Sequence, residues 1–73
     1  MHKLKWTDSE DIGILLHEKR PELDPLTVRF TDLRAWVIEL SEFEDEEKAS
    51  NEAKLEAIQM AWLEEYRDAR QED

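Results

Sequence analysis

Six carboxylates, Glu39, Glu42, Glu44, Asp45, Glu46 and Glu47, fall within nine residues of a 73-residue chain, and Glu18, Glu22 and Asp24 gather around Pro21. Oxygen donors at that density suit a hard divalent cation such as Mg²⁺, Ca²⁺, Mn²⁺ or Fe²⁺, and they equally suit a basic protein surface. A solvated acidic loop holding no ligand is the third reading. An EF-hand is not encoded: read from Asp45, "DEEKASNEAKLE" has Glu at its third position, Ala at its fifth and Asn where the glycine of a calcium loop stands. The chain has no cysteine, so thiolate nucleophiles, disulfides and thiolate metal sites are all excluded. Its two histidines are poorly placed for catalysis. His2 lies at the N-terminus, and His17 falls late on a helix, where it suits the negative end of the dipole. A chain this short encloses only a small core, so the residues read as a non-enzyme.

Charge narrows the partners. The formal net charge is -10, and it is unevenly spread: residues 1–38 hold seven acids and six bases, whereas 39–73 hold thirteen acids and four bases, a net of -9. Such a surface repels nucleic acid and anionic lipid and speeds encounter with basic proteins or cations. The last helix offers Lys54, Arg67 and Arg70 against Glu52, Glu56, Glu64, Glu65 and Asp68, the wrong balance for a DNA-recognition helix. The N-terminal "MHKLKWTDSE" has no apolar segment of the kind that directs export, and no apolar run approaches membrane-spanning length, so a cytoplasmic location is expected.

Three helices must position these groups. The first is expected over 7–20, with Thr7 and Glu10 as a capping box, Ile12, Leu15 and Leu16 on the apolar face, and Pro21 as the stop. Gly13, the only glycine, sits inside this helix, which calls for close approach by another backbone or ring. "ELDPLTVRF" reads as a turn followed by a short extended piece in which Val28 and Phe30 alternate with polar residues. A second helix spans 31–40 through Leu33, Trp36, Val37 and Leu40. A third spans 51–66, capped by Ser50 or Asn51, with Leu55, Ile58, Trp62 and Tyr66 on the inward stripe, and "RDARQED" is expected to fray. The expected fold class is all-α: a small monomeric three-helix bundle with a short extended segment, compatible with a degenerate winged-helix or helix-turn-helix arrangement. Trp6, Ile12, Leu16, Leu23, Val28, Phe30, Leu33, Trp36, Val37, Leu40, Phe43, Leu55, Ile58 and Trp62 form the expected core.

At "LKWTDSEDIG", "PELDPLTVRFTDLRAW" and "ASNEAKLEAI...WLEE" the chain resembles the IscX (YfhJ) family, small acidic proteins of bacterial iron–sulphur cluster assembly. The resemblance covers about Leu4 to Glu65 within one domain over 1–73, and residues 66–73 form a C-terminal extension that inherits nothing. It implies a winged-helix-like fold, weak and exchangeable binding of Fe²⁺ by surface carboxylates without any tightly bound cofactor, and docking on the cysteine desulfurase in competition with a frataxin-like protein. The implied role is an adaptor or regulator; the alternative is a frataxin-like iron donor or iron sensor. Carried over by position, Asp8, Asp32, Glu39, Glu42, Glu44, Asp45 and Glu46 make the implied partner surface, and Glu18, Glu22 and Asp24 with Glu42, Glu44, Asp45 and Glu46 the implied metal ligands. The loop acids are expected to carry no core contact. Ile14 departs from the family pattern, standing where an acid can occur, and so counts against a metal site along the first helix.

Overall fold

The order of elements follows the apolar stripes, and the computed structural model describes residues 3–70 of the chain. Helix α1 is Ser9–Lys19, α2 is Phe30–Glu39 and α3 is Glu52–Arg70. The fold is all-α. Ile12 and Leu16 on α1, Leu33 and Val37 on α2, and Leu55, Ile58 and Trp62 on α3 recur at helical spacing and meet in one core, each fully or almost fully buried. Leu23, Val28, Phe30, Trp36 and Phe43 pack against that core from its edge. Trp36 is only half buried: its ring meets Trp62 edge-on at 6.3 Å between centroids, and the Arg20 guanidinium lies 4.0 Å above it. Leu4 and Leu63 are further buried residues, outside the expected set.

Four local expectations are corrected. α1 begins at Ser9, with Asp8 rather than Thr7 at the cap position and no side-chain cap bond. Residues 5–8 close a turn of their own, in which the Lys5 N–H donates to the Asp8 carboxylate at 2.8 Å and the Asp8 N–H to the Lys5 carbonyl at 2.9 Å. That turn absorbs Thr7, so the capping box does not form.

The turn expected at Asp24-Pro25 forms, as a 3₁₀ turn at Pro25–Thr27. Proline presets the turn, Asp24 accepts from the Leu26 N–H at 3.0 Å, and Thr27 Oγ1 donates to the Asp24 carbonyl at 2.7 Å. The extended piece after the turn is cut short at Val28 and Arg29, because Phe30 opens α2. Among the described residues β pairing is confined to an isolated parallel bridge between Leu4 and Phe43, so the wing of a winged-helix arrangement has no counterpart.

The fourth correction is at the end of α3. The helix continues through Arg67–Arg70, where the expected fraying would begin, and the Arg70 guanidinium sits 4.5 Å over the Tyr66 ring one turn back. Residues 71–73 lie outside the described residues. At the other end Asn51 is the cap, its Oδ1 accepting from the Lys54 N–H at 2.8 Å.

Candidate functional site: the acidic loop

Leu40 to Asn51 connect α2 to α3, and their backbone is tied down along its length. The Leu4 N–H donates to the Glu42 carbonyl at 2.8 Å, and the Glu44 N–H returns to the Leu4 carbonyl at 2.9 Å. Two residues on, the Trp6 indole N–H donates to the Glu46 carbonyl at 2.7 Å, while the ring itself is buried edge-on against Phe43 at 4.7 Å. The far half of the loop is held by cations: Arg34 donates to the Glu47 carbonyl at 2.9 Å and to Ser50 Oγ at 3.1 Å, and Lys54 Nζ to the Ala49 carbonyl at 3.0 Å. These two cations satisfy loop backbone carbonyls, and their charge is not paired with the loop carboxylates through those bonds. The loop is therefore an ordered acidic surface built on the core.

Asp45 belongs to the fastening rather than to the exposed face. Its Oδ2 accepts from the Trp6 N–H at 3.1 Å and its Oδ1 from the Glu46 N–H at 2.7 Å. This overturns the expectation that no loop acid contacts the structural core. The Trp6 hydrogen bond first, then that from Glu46, favours the ionised carboxylate and holds its pKa below the ordinary aspartate value. A depressed folded-state pKa contributes stability that is present above the unfolded value and is lost as pH falls through the folded one. Carbon-detected NMR titration should accordingly find the Asp45 carboxyl titrating below the ordinary aspartate value, and Asp45→Asn should flatten the acid limb of the stability profile. An Asp45 that titrates at or above the ordinary aspartate value would contradict the fastening.

The remaining acids separate into used and exposed. Asp8 closes the turn before α1 and Asp24 caps the 3₁₀ turn, so each already has a backbone donor. Glu18, Glu22, Asp32, Glu39, Glu42, Glu44 and Glu46 are exposed. Glu44 lies 3.5 Å from Lys3 in a surface pair of the kind that contributes little. Among the described residues no three His, Asp or Glu side chains converge to hold a metal ion. His2 lies outside the described residues; His17 is half buried in the last turn of α1 with its Nδ1 lacking a hydrogen-bond partner. Sequence reasoning placed Trp6 in the core and Asp45 in the acidic site but missed their fastening bonds, and it missed Leu4 and Arg34. Leu4 and Trp6 alternate with lysines in "KLKW", a pattern that could have marked a buried edge, whereas nothing local marks Arg34.

A family model described as iron–sulphur cluster assembly matches residues 4–67. The chain belongs to that family. It is the IscX family whose motifs the sequence resembles, and the match opens at Leu4, where the loop is fastened, and runs through most of α3. The IscX-family chain is also 58% identical over 62 residues to an uncharacterized protein of Pseudomonas aeruginosa, an alignment covering 85% of this chain and 94% of that relative. Family membership assigns the protein to the cluster-assembly system. No helix among the described residues is long and apolar enough to cross a membrane.

Proposed function

We propose that this IscX-family protein is a cytoplasmic, monomeric adaptor or regulator of cluster assembly that docks on the cysteine desulfurase through its acidic surface. The observation that carries this reading is the ordered loop, which leaves Glu42, Glu44 and Glu46 exposed beside Glu39 while Asp45 and the backbone hold its shape. A pre-shaped surface of one sign steers a basic partner and loses little entropy on docking. Asp8 and Asp32 extend the acidic character towards α1 and α2. Fe²⁺ is bound weakly and exchangeably by exposed carboxylates, with Glu18, Glu22 and Asp24 as one group and Glu42, Glu44 and Glu46 as the other. Asp45 contributes charge to the second group while its oxygens accept backbone donors. The reading rests on the density of exposed oxygen donors, which raises the local concentration of a divalent cation. A frataxin-like protein, acidic in the same way, would compete for the same desulfurase face.

An iron donor or sensor is the second reading, favoured by the density of oxygen donors. Anaerobic calorimetry separates the two. The adaptor binds the desulfurase with the same affinity in the presence and absence of Fe²⁺; binding that appears only after iron is added would reverse the ranking.

A further inference from the structure

Beside the loop fastening, α1 and residue 4 enclose an open groove of about 260 Å³ lined by Leu4, Ile14, Leu15, Asp11 and Glu42. Its surface is chiefly apolar, supplied by Leu4, Ile14 and Leu15. Ile14 is 38% exposed, an uncompensated apolar surface on a chain of which 41% is charged. About 150 Å³ already admits a benzene-sized group, so the groove has room for an aliphatic side chain. Acids surround it: Glu10 and Glu18 lie one turn either side of Ile14 on α1, Asp11 three residues before it, and Glu42 across the groove.

We propose that this groove is the apolar anchor point of the acidic docking surface, and that it receives an aliphatic side chain flanked by Arg or Lys on the basic face of the desulfurase. The inference rests on the proposed docking function and adds what charge alone does not supply. Exposed ion pairs are worth little singly and fix no register, whereas one desolvated side chain in a pocket concentrates binding energy and sets the orientation. Continuity supports the assignment, because Glu42 belongs to both groove and loop, and the Leu4 N–H is bonded to its carbonyl. Charge also selects the occupant. A second copy would bring its own net charge of -10 against the same ring of acids, which disfavours self-association and favours a basic partner.

Ile14→Ala and Ile14→Glu test this by calorimetry against the cysteine desulfurase at low and high salt. Both replacements are good helix formers at an exposed position, so the fold is kept, and circular dichroism checks that it is. Ile14→Ala is expected to weaken binding about tenfold, the scale of about two buried methylenes, with a ratio to wild type that salt leaves unchanged. Ile14→Glu discriminates by sign: it adds negative charge, so purely electrostatic docking predicts equal or tighter binding at low salt, while the groove predicts a loss larger than that of Ile14→Ala. Wild-type affinity in both variants would overturn the groove and leave the docking function standing. No binding by the wild type would overturn both. A wild-type dimer that Ile14→Glu dissolves in sedimentation would overturn the proposal in favour of a second copy.

Discussion

Gly13→Val is expected to destabilise the fold by more than about 3 kcal/mol. A Cβ built on Gly13 would lie 2.8 Å from the Trp62 backbone nitrogen and 3.0 Å from both the carbonyl carbon and the Cβ of Ala61. The obstacle is mainly backbone, so no rotamer change relieves it and α1 and α3 must separate. Overpacking of this kind costs about 1–3 kcal/mol for modest additions. Gly13→Ala recovers about 1 kcal/mol of helix propensity and should show a net loss at the lower end of that range. Valine adds two further carbons and regains less propensity, so it exceeds the range. A domain of this size has only about 4–11 kcal/mol in total, at roughly 0.05–0.15 kcal/mol per residue. Urea unfolding followed by circular dichroism measures both variants, and a Gly13→Ala protein more stable than wild type would contradict the close approach of α1 to α3 at Gly13.

Trp6→Ala should cost about 3–5 kcal/mol, the scale for emptying a large buried aromatic site, and should also release the acidic loop. Trp6 is 1% exposed and unites two functions: its ring fills core volume against Phe43, and its backbone and indole N–H groups hold Asp45 and the Glu46 carbonyl. Trp6→Phe separates them. Phenylalanine keeps much of the packing and the backbone N–H but leaves the Glu46 carbonyl without the indole donor, a loss of about 0.5–1.5 kcal/mol for the hydrogen bond alone. In hydrogen exchange the Glu44 and Leu4 amides, which close the Leu4–Glu44 pairing, should lose protection in Trp6→Ala and keep most of it in Trp6→Phe. Unchanged protection of Glu44 in Trp6→Ala would mean that the loop is held from the Arg34 side alone.

The helices were legible because apolar periodicity reports directly on burial. Leu33, Val37 and Leu40 lie where their spacing put them, and so do Leu55, Ile58 and Trp62. The same rule failed on short segments, where turn chemistry competes with pattern. Val28 and Phe30 alternate as a strand would, yet after the expected turn only Val28 and Arg29 are extended and Phe30 goes into α2. Thr7 and Glu10 have the spacing of a capping box, but the Asp8 carboxylate bonds the Lys5 amide first. Gly13 announced a close approach without naming the partner, since Trp62 is 49 positions away in sequence. The acidic run was visible as charge. Its division into a fastening carboxylate, Asp45, and exposed ones was not, because that depends on Trp6, nearly forty residues earlier in the chain.

That division determines the variant that tests the acidic surface. Asp45 must be left in place, since its reversal would strip the Trp6 amide of its acceptor and confuse unfolding with loss of charge. Glu42→Lys, Glu44→Lys and Glu46→Lys together change three exposed side chains by six units of charge and leave the fastening bonds of Asp45 and the backbone intact. Calorimetric titration of this triple variant against the cysteine desulfurase, beside wild type at about 50 mM and about 500 mM salt, is the most direct measurement, because exposed pairs are screened over roughly a Debye length. The account predicts a folded variant that binds at least severalfold more weakly at low salt, with a wild-type complex that weakens towards it as salt rises. A folded variant that binds as tightly as wild type, with the same salt dependence, would contradict it.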